Sequence, residues 1–320
     1  MFKKIEFDFN IGVYYAILSI VLYTMRDVLI KSYISLPSIE ILFFSSILGI
    51  ILIFLSLKHT SSSSICKKEY RNKARKMLVF RGVMGFLSSA AFFYCITHTT
   101  FVNTIVFMQS SALFASLFMF ILFREKLSLI QIAAIFVGLV GIIMIVSPSG
   151  ISVDKVSWVG LICSITGAIA FMSVRELRKY YGARTIVLAF LVANTIGSGF
   201  CIIMAYIVDI PSIDFLFQKF VMPEISLIYI YLLLIAFLNA LSQIYKTKAF
   251  AVAKVGVVGV VSYLRVPMTL FVGVFLLGDD WPVSTVFIGI LFVTISCVMV
   301  SYMSEDDKID KVFRKYERSD

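Results

Sequence analysis

Apolar runs of about 20 residues, set apart by clustered charges, recur along this 320-residue chain. Such a run, folded as a helix, matches the roughly 30 Å hydrocarbon core of a bilayer. Composition excludes hiding these runs inside a soluble domain. The chain is 60% hydrophobic and 15% charged, with 30 Phe and a mean hydropathy of +0.97, whereas soluble domains are about a quarter charged. The sequence therefore predicts a polytopic, all-α membrane protein.

Ten spans are predicted, at 11–33, 38–57, 77–98, 101–123, 128–147, 157–177, 185–207, 226–247, 255–277 and 282–303. The first follows Lys3 and Lys4 but has no small-residue cleavage site, so it is expected to be a retained helix rather than a signal peptide. With the N-terminus inside, 24 of the 29 Lys and Arg fall on the cytoplasmic side. Lys31, Lys155 and Lys219 fall outside, and Arg26 and Arg265 lie at membrane depth. Because basic residues favour the cytoplasmic side, both termini are expected there. The net charge of +10 is then a topology signal spread over separate loops, and no nucleic-acid partner is expected. The basic 67–76 segment is read chiefly as a topology determinant, with contact to anionic lipid headgroups a secondary reading.

Weak internal likenesses divide the chain into two halves. Residues 120–147 resemble 275–302, placing Glu125 on Asp280, and Arg26-Asp27 falls on Arg175-Glu176 at an offset of 149. The expected organisation is a cytoplasmic tail (1–10), a first repeat (11–147), an external linker (148–156), a second repeat (157–303) and a charged cytoplasmic tail (304–320). Five spans per unit force the second to begin on the opposite face of the membrane. Two inverted five-helix repeats follow, an arrangement of transporters that bind substrate near the midplane.

Within that frame, FILFREKLSLIQIAAIFVGLVGIIMI (120–145), RGVMGFLSSAAFFYCI (81–96) and LRVPMTLFVGVFLLGDDWPVSTVFIGI (264–290) resemble the drug/metabolite transporter superfamily, EamA type. The likeness covers about 11–303, with Asp280 standing where the family often has Glu. DVLIKSYISLPSIEILFFSS (27–46) is also similar to bacterial S-adenosylmethionine transporters of that superfamily. The resemblance implies a carrier for amino acids, nucleotide-type metabolites or other small polar compounds, working without ATP in the bacterial inner membrane. A lipid-linked carrier flippase and a metabolite or drug exporter of the same fold are the alternatives.

Charged and amide side chains at membrane depth are the candidate site. Arg265 is expected to bind a substrate carboxylate or phosphate. Gln109 and Ser110, with Asn103 nearer the outside, offer hydrogen bonds from the fourth span, and Asn239 and Gln243 do so from the eighth. Tyr23, Phe93, Tyr94 and Tyr263 supply an aromatic wall. Arg26, Asp27, Arg175 and Glu176 are candidate gating or coupling residues, with Asp27 expected to pair with Lys31 one turn on and Arg26 to seek another acceptor. Asn194 is read as a packing amide. No cofactor or metal is expected: Cys66, Cys95, Cys163, Cys201 and Cys297 are scattered, and His59 and His98 are the two histidines. No catalytic constellation appears, so an enzyme is not expected. Monomer and homodimer both remain open.

Overall fold

In the computed structural model, α7 (Ala183–Met204) shows the principle of assembly. Asn194, Ser198 and Cys201 are buried on one face, while Ile196, Phe200 and Ile203 are 67%, 59% and 64% exposed on another. Soluble helices do the reverse. A helix that turns polar groups inward and large apolar groups outward is built to face lipid. The structure describes residues 2–33, 36–56, 71–123, 129–146, 154–177, 180–207, 213–221, 226–252, 258 and 261–299.

Among the described residues α7 is accompanied by α1 (Phe2–Tyr33), α2 (Ser38–Ser56), α3 (Arg71–His98), α4 (Phe101–Phe123), α5 (Leu129–Val146), α6 (Lys155–Leu177), α8 (Ser226–Val252), α9 (Arg265–Leu276) and α10 (284–299). No strand occurs among the described residues. Five stretches of the described residues are long and apolar enough to cross a membrane: Ile11–Ser32, Ala74–His98, Lys155–Ser173, Thr185–Met204 and Leu227–Lys246. The other helices carry shorter apolar stretches. Helix is the expected choice, because a backbone in hydrocarbon must satisfy its own hydrogen bonds.

Several helix boundaries differ from the predicted ones, α3 beginning at Arg71 rather than 77 and α8 running to Val252 rather than 247. Helix α1 begins at Phe2, so the predicted N-terminal tail belongs to its first turns. The ninth span is interrupted. A helical stretch ends at Ser262, Tyr263 and Leu264 form a turn, and α9 starts afresh at Arg265. Pro267 accounts for the break, because it has no N–H to donate and its ring would clash with the carbonyl of Tyr263 in a continuous helix. The Val266 N–H instead reaches the Tyr263 carbonyl at 3.0 Å.

Helix α1 packs along α8, and α3 packs along α6. Helix α2 lies against α7 and α8, α3 against α7, α4 against α6, and α9 against α4. The buried core between them is rich in rings, including Phe86, Phe92, Phe93, Phe101 and Phe107. Helices α5 and α10 meet backbone to backbone where Gly141 faces Gly289. A Cβ on either would lie 2.8 Å from the other's carbonyl oxygen. Backbone cannot retreat as a side chain can, so Gly141→Ala or Gly289→Ala is expected to destabilise by about 1–3 kcal/mol. Thermal unfolding of the detergent-solubilised variants checks this, and the double variant should fall short of the summed losses because both changes act on one contact.

Candidate substrate site

Asp27 is fully buried on α1 and is the negative centre of a cluster that draws on four helices. Its Oδ1 accepts Arg26 Nε at 2.7 Å and Arg26 Nη2 at 2.5 Å. Its Oδ2 accepts Arg265 Nη2 from the start of α9. Arg26 uses its remaining terminal nitrogen, Nη1, to bond Asn239 Oδ1 on α8 at 2.6 Å. Arg265 Nη1 contacts the Met108 sulfur of α4 at 3.7 Å. Arg26 and Arg265 are only 5% and 4% exposed. Two guanidiniums share one carboxylate, which leaves a buried surplus of positive charge.

Aromatic faces temper that surplus. The Tyr23 ring, one turn before Arg26, has Arg26 Cζ at 4.9 Å from its centroid and Arg265 Cζ at 5.3 Å. Phe92 and Phe93 of α3 stand 5.5 and 5.9 Å from Arg26 Cζ. Lys246, two turns after Asn239 on α8, brings its Nζ to 5.7 Å from the Tyr23 ring and 5.5 Å from the Phe171 ring. Arg265 Nε is buried and has no hydrogen-bond partner among the described residues.

The structure thus gathers Arg26, Asp27, Arg265, Tyr23, Phe93 and Asn239 in one place. The expected Asp27–Lys31 pair does not form. Lys31 Nζ turns instead to Asp279, at 2.7 and 3.0 Å from its two oxygens, and to the Thr99 carbonyl at 3.0 Å. Arg26 pairs with its own neighbour instead, because its long side chain can curl back to the carboxylate that Arg265 holds from the other side.

Other predicted residues lie apart from the cluster or do other work. Gln109 Nε2 donates to the Ser262 carbonyl at 2.9 Å, tying α4 to the backbone beside the break in the ninth span. Ser110 returns its hydroxyl to the Val106 carbonyl of its own helix at 2.7 Å. Tyr263 is buried in the turn that precedes α9, and Gln243 lies one turn beyond Asn239 on α8. Asn103 leaves its buried Oδ1 without a partner among the described residues, as does Asn194. Tyr94 stacks on His98 with ring centroids 4.0 Å apart and meets Phe215 edge-on. The side chains of Arg175 and Glu176, and all of Glu125, lie outside the described residues. Asp280 is exposed; its neighbour Asp279 makes the contacts.

Those contacts belong to one end of the bundle, the predicted outer end. Gly278, at φ +70°, lets the chain turn sharply after α9. Asp279 then accepts both Lys31 and the Phe101 N–H, the latter at 2.7 Å, so a carboxylate from another turn caps α4. Nearby, Gln218 Oε1 accepts the Ser38 hydroxyl and the Ile39 N–H, and Glu40 Oε2 accepts the Val221 N–H at 3.1 Å. Lys155 meets Asp214 at 2.5 Å. Segment 213–221 is thereby laced to α2 and α6. Lys246, Asp279 and Phe92 were not singled out by sequence, because a lysine near a basic loop, one of two adjacent aspartates and one of many phenylalanines carry no distinguishing mark.

A buried, positively charged cluster enclosed by helices whose outer faces are apolar belongs to an integral membrane protein. Residues 10–147 match the EamA-like transporter family. The chain is 30% identical over 215 residues to an uncharacterized transporter of Helicobacter pylori (strain J99 / ATCC 700824), covering 67% of this chain and 69% of that one. It is 26% identical over 292 residues to the pseudopaline exporter of Pseudomonas aeruginosa (strain UCBPP-PA14), covering 91% and 95% of the two chains. A solved crystal structure shares the fold, with a TM-score of 0.57 and 12% identity over 91% of this chain and 97% of its own. The chain belongs to the EamA-type transporters of the drug/metabolite transporter superfamily, and is a transporter rather than an enzyme.

Proposed function

We propose that the chain is a ten-span secondary carrier that moves a small polar metabolite across the bacterial inner membrane by alternating access, with both termini cytoplasmic. The observation that carries this reading is the buried Arg26–Asp27–Arg265 cluster, where a charged substrate group would exchange for a protein carboxylate. Charge at membrane depth is expensive and is retained where it serves transport. The broken ninth span supports the reading, since interrupted helices line the sites of many carriers.

Helix packing supports inverted repeats. Exchanging each helix for the one five places away turns the α1–α8 contact into α6–α3, and α2–α8 into α7–α3. The α2–α7 and α4–α9 contacts map onto themselves, as does the reciprocal Gly141–Gly289 approach. The laced outer end fits a carrier closed to the outside. The export reading draws on the Pseudomonas aeruginosa relative, and the cationic surplus favours an anionic cargo over a net cation such as S-adenosylmethionine.

Reconstitution in liposomes tests the proposal. Saturable counterflow of labelled anionic metabolites, without added ATP, is the expected result. Phospholipid scrambling in the absence of metabolite flux would replace the carrier with a flippase.

A further inference from the structure

We infer that the substrate carries two anionic groups, one taken by Arg265 and the other by Lys246; this rests on the carrier reading above. The charge balance is the first argument. Arg26, Arg265 and Lys246 all lie within 6 Å of the Tyr23 ring, and Asp27 is the one carboxylate among the described residues that pairs with any of them. Three cations against one anion leave a surplus of two. A monoanion would halve that surplus, whereas a dianion cancels it.

Geometry is the second argument. Arg265 Nε is a buried donor with no partner among the described residues, although both terminal nitrogens of the same guanidinium are engaged. Lys246 Nζ rests on the Tyr23 and Phe171 rings and meets no carboxylate among the described residues. The Arg265 guanidinium carbon and Lys246 Nζ lie 5.3 and 5.7 Å from the centroid of the one Tyr23 ring, so they are no more than 11.0 Å apart. Charge-assisted hydrogen bonds of about 2.7–2.9 Å from each side would hold the two anionic groups a short distance apart, as on a skeleton such as that of succinate. Arg26 is not available as the second anchor, because Asp27 and Asn239 already occupy it.

Position along α8 is the third argument. Asn239, Gln243 and Lys246 follow at spacings of four and three, which puts them on one face of the helix. Asn239 holds the cluster, and Lys246 stands two turns closer to the predicted inner end, half-buried. A dianion would enter past Lys246 with one group and deliver the other to Arg265.

The purified full chain tests this with pairs that differ by one negative charge: succinate against butyrate, and AMP (net charge of about −2) against its monoanionic methyl ester. Affinity is read by thermal stabilisation in detergent at fixed ionic strength, and flux by counterflow in liposomes. The wild-type protein should bind the dianion of a pair at least tenfold more tightly. Lys246→Ala should bring the two members close to equality, and Lys246→Arg should restore the difference. A preference that survives Lys246→Ala, or no binding of any member, overturns the inference. Arg265-dependent binding with no preference overturns the dianion alone. Binding that is indifferent to Arg265→Ala overturns the carrier site beneath it.

Discussion

Arg265→Ala should abolish saturable counterflow while the protein still folds and reaches the membrane. The reason is the way charge is shared. Asp27 loses one of two guanidinium partners but keeps Arg26 Nε and Nη2, so no carboxylate is left unpaired. The substrate, in contrast, loses a charge-assisted bond of about 1.5–3 kcal/mol, worth roughly ten- to a hundredfold in affinity. Arg265→Lys should recover only part of it, since an ammonium cannot serve Asp27 and a ligand from one planar fork. Counterflow and melting temperature, measured on the same preparations, separate the two effects. Normal flux through the Arg265→Ala protein would remove Arg265 from the site.

Asp27→Asn should produce the larger loss of stability. It leaves Arg26 and Arg265 buried at 5% and 4% exposure with no counter-charge. Removing one partner from a buried ion pair costs about 3–5 kcal/mol, and here one change strands two cations. Reduced yield and a lower unfolding temperature are expected, with Arg265→Ala added to Asp27→Asn regaining part of the loss. A simple additive double variant would show that the pair is not energetically coupled.

The charged residues at membrane depth were legible because an arginine or aspartate in an apolar run has no neutral explanation. Their partners were less so. Helical spacing put Asp27 with Lys31, but spacing describes one helix, and the decisive neighbours come from others. Arg265 draws Asp27 inward, and Asp279 draws Lys31 toward the outer end. Lys246 was assigned to the cytoplasmic side because charges cluster after it. In the structure α8 continues to Val252, and no Gly or Pro between Lys246 and Val252 marks where it enters or leaves the bilayer. Pro267 lies within the predicted ninth span, but a proline alone does not say whether a membrane helix kinks or breaks. Which of Asp279 and Asp280 turns inward depends on the chain direction after Gly278, a tertiary property that two adjacent aspartates do not disclose.

The shared carboxylate has a kinetic consequence. Asp27 occupies Arg265 much as a bound anion would. On the proposed mechanism, a transporter without bound solute would carry its own placeholder and turn over without burying a bare guanidinium. A carrier lacking such a placeholder would stall until a returning solute filled the site, and would be confined to one-for-one swapping. With Asp27 in place, the proposed cycle can run downhill in a single direction, as net efflux requires.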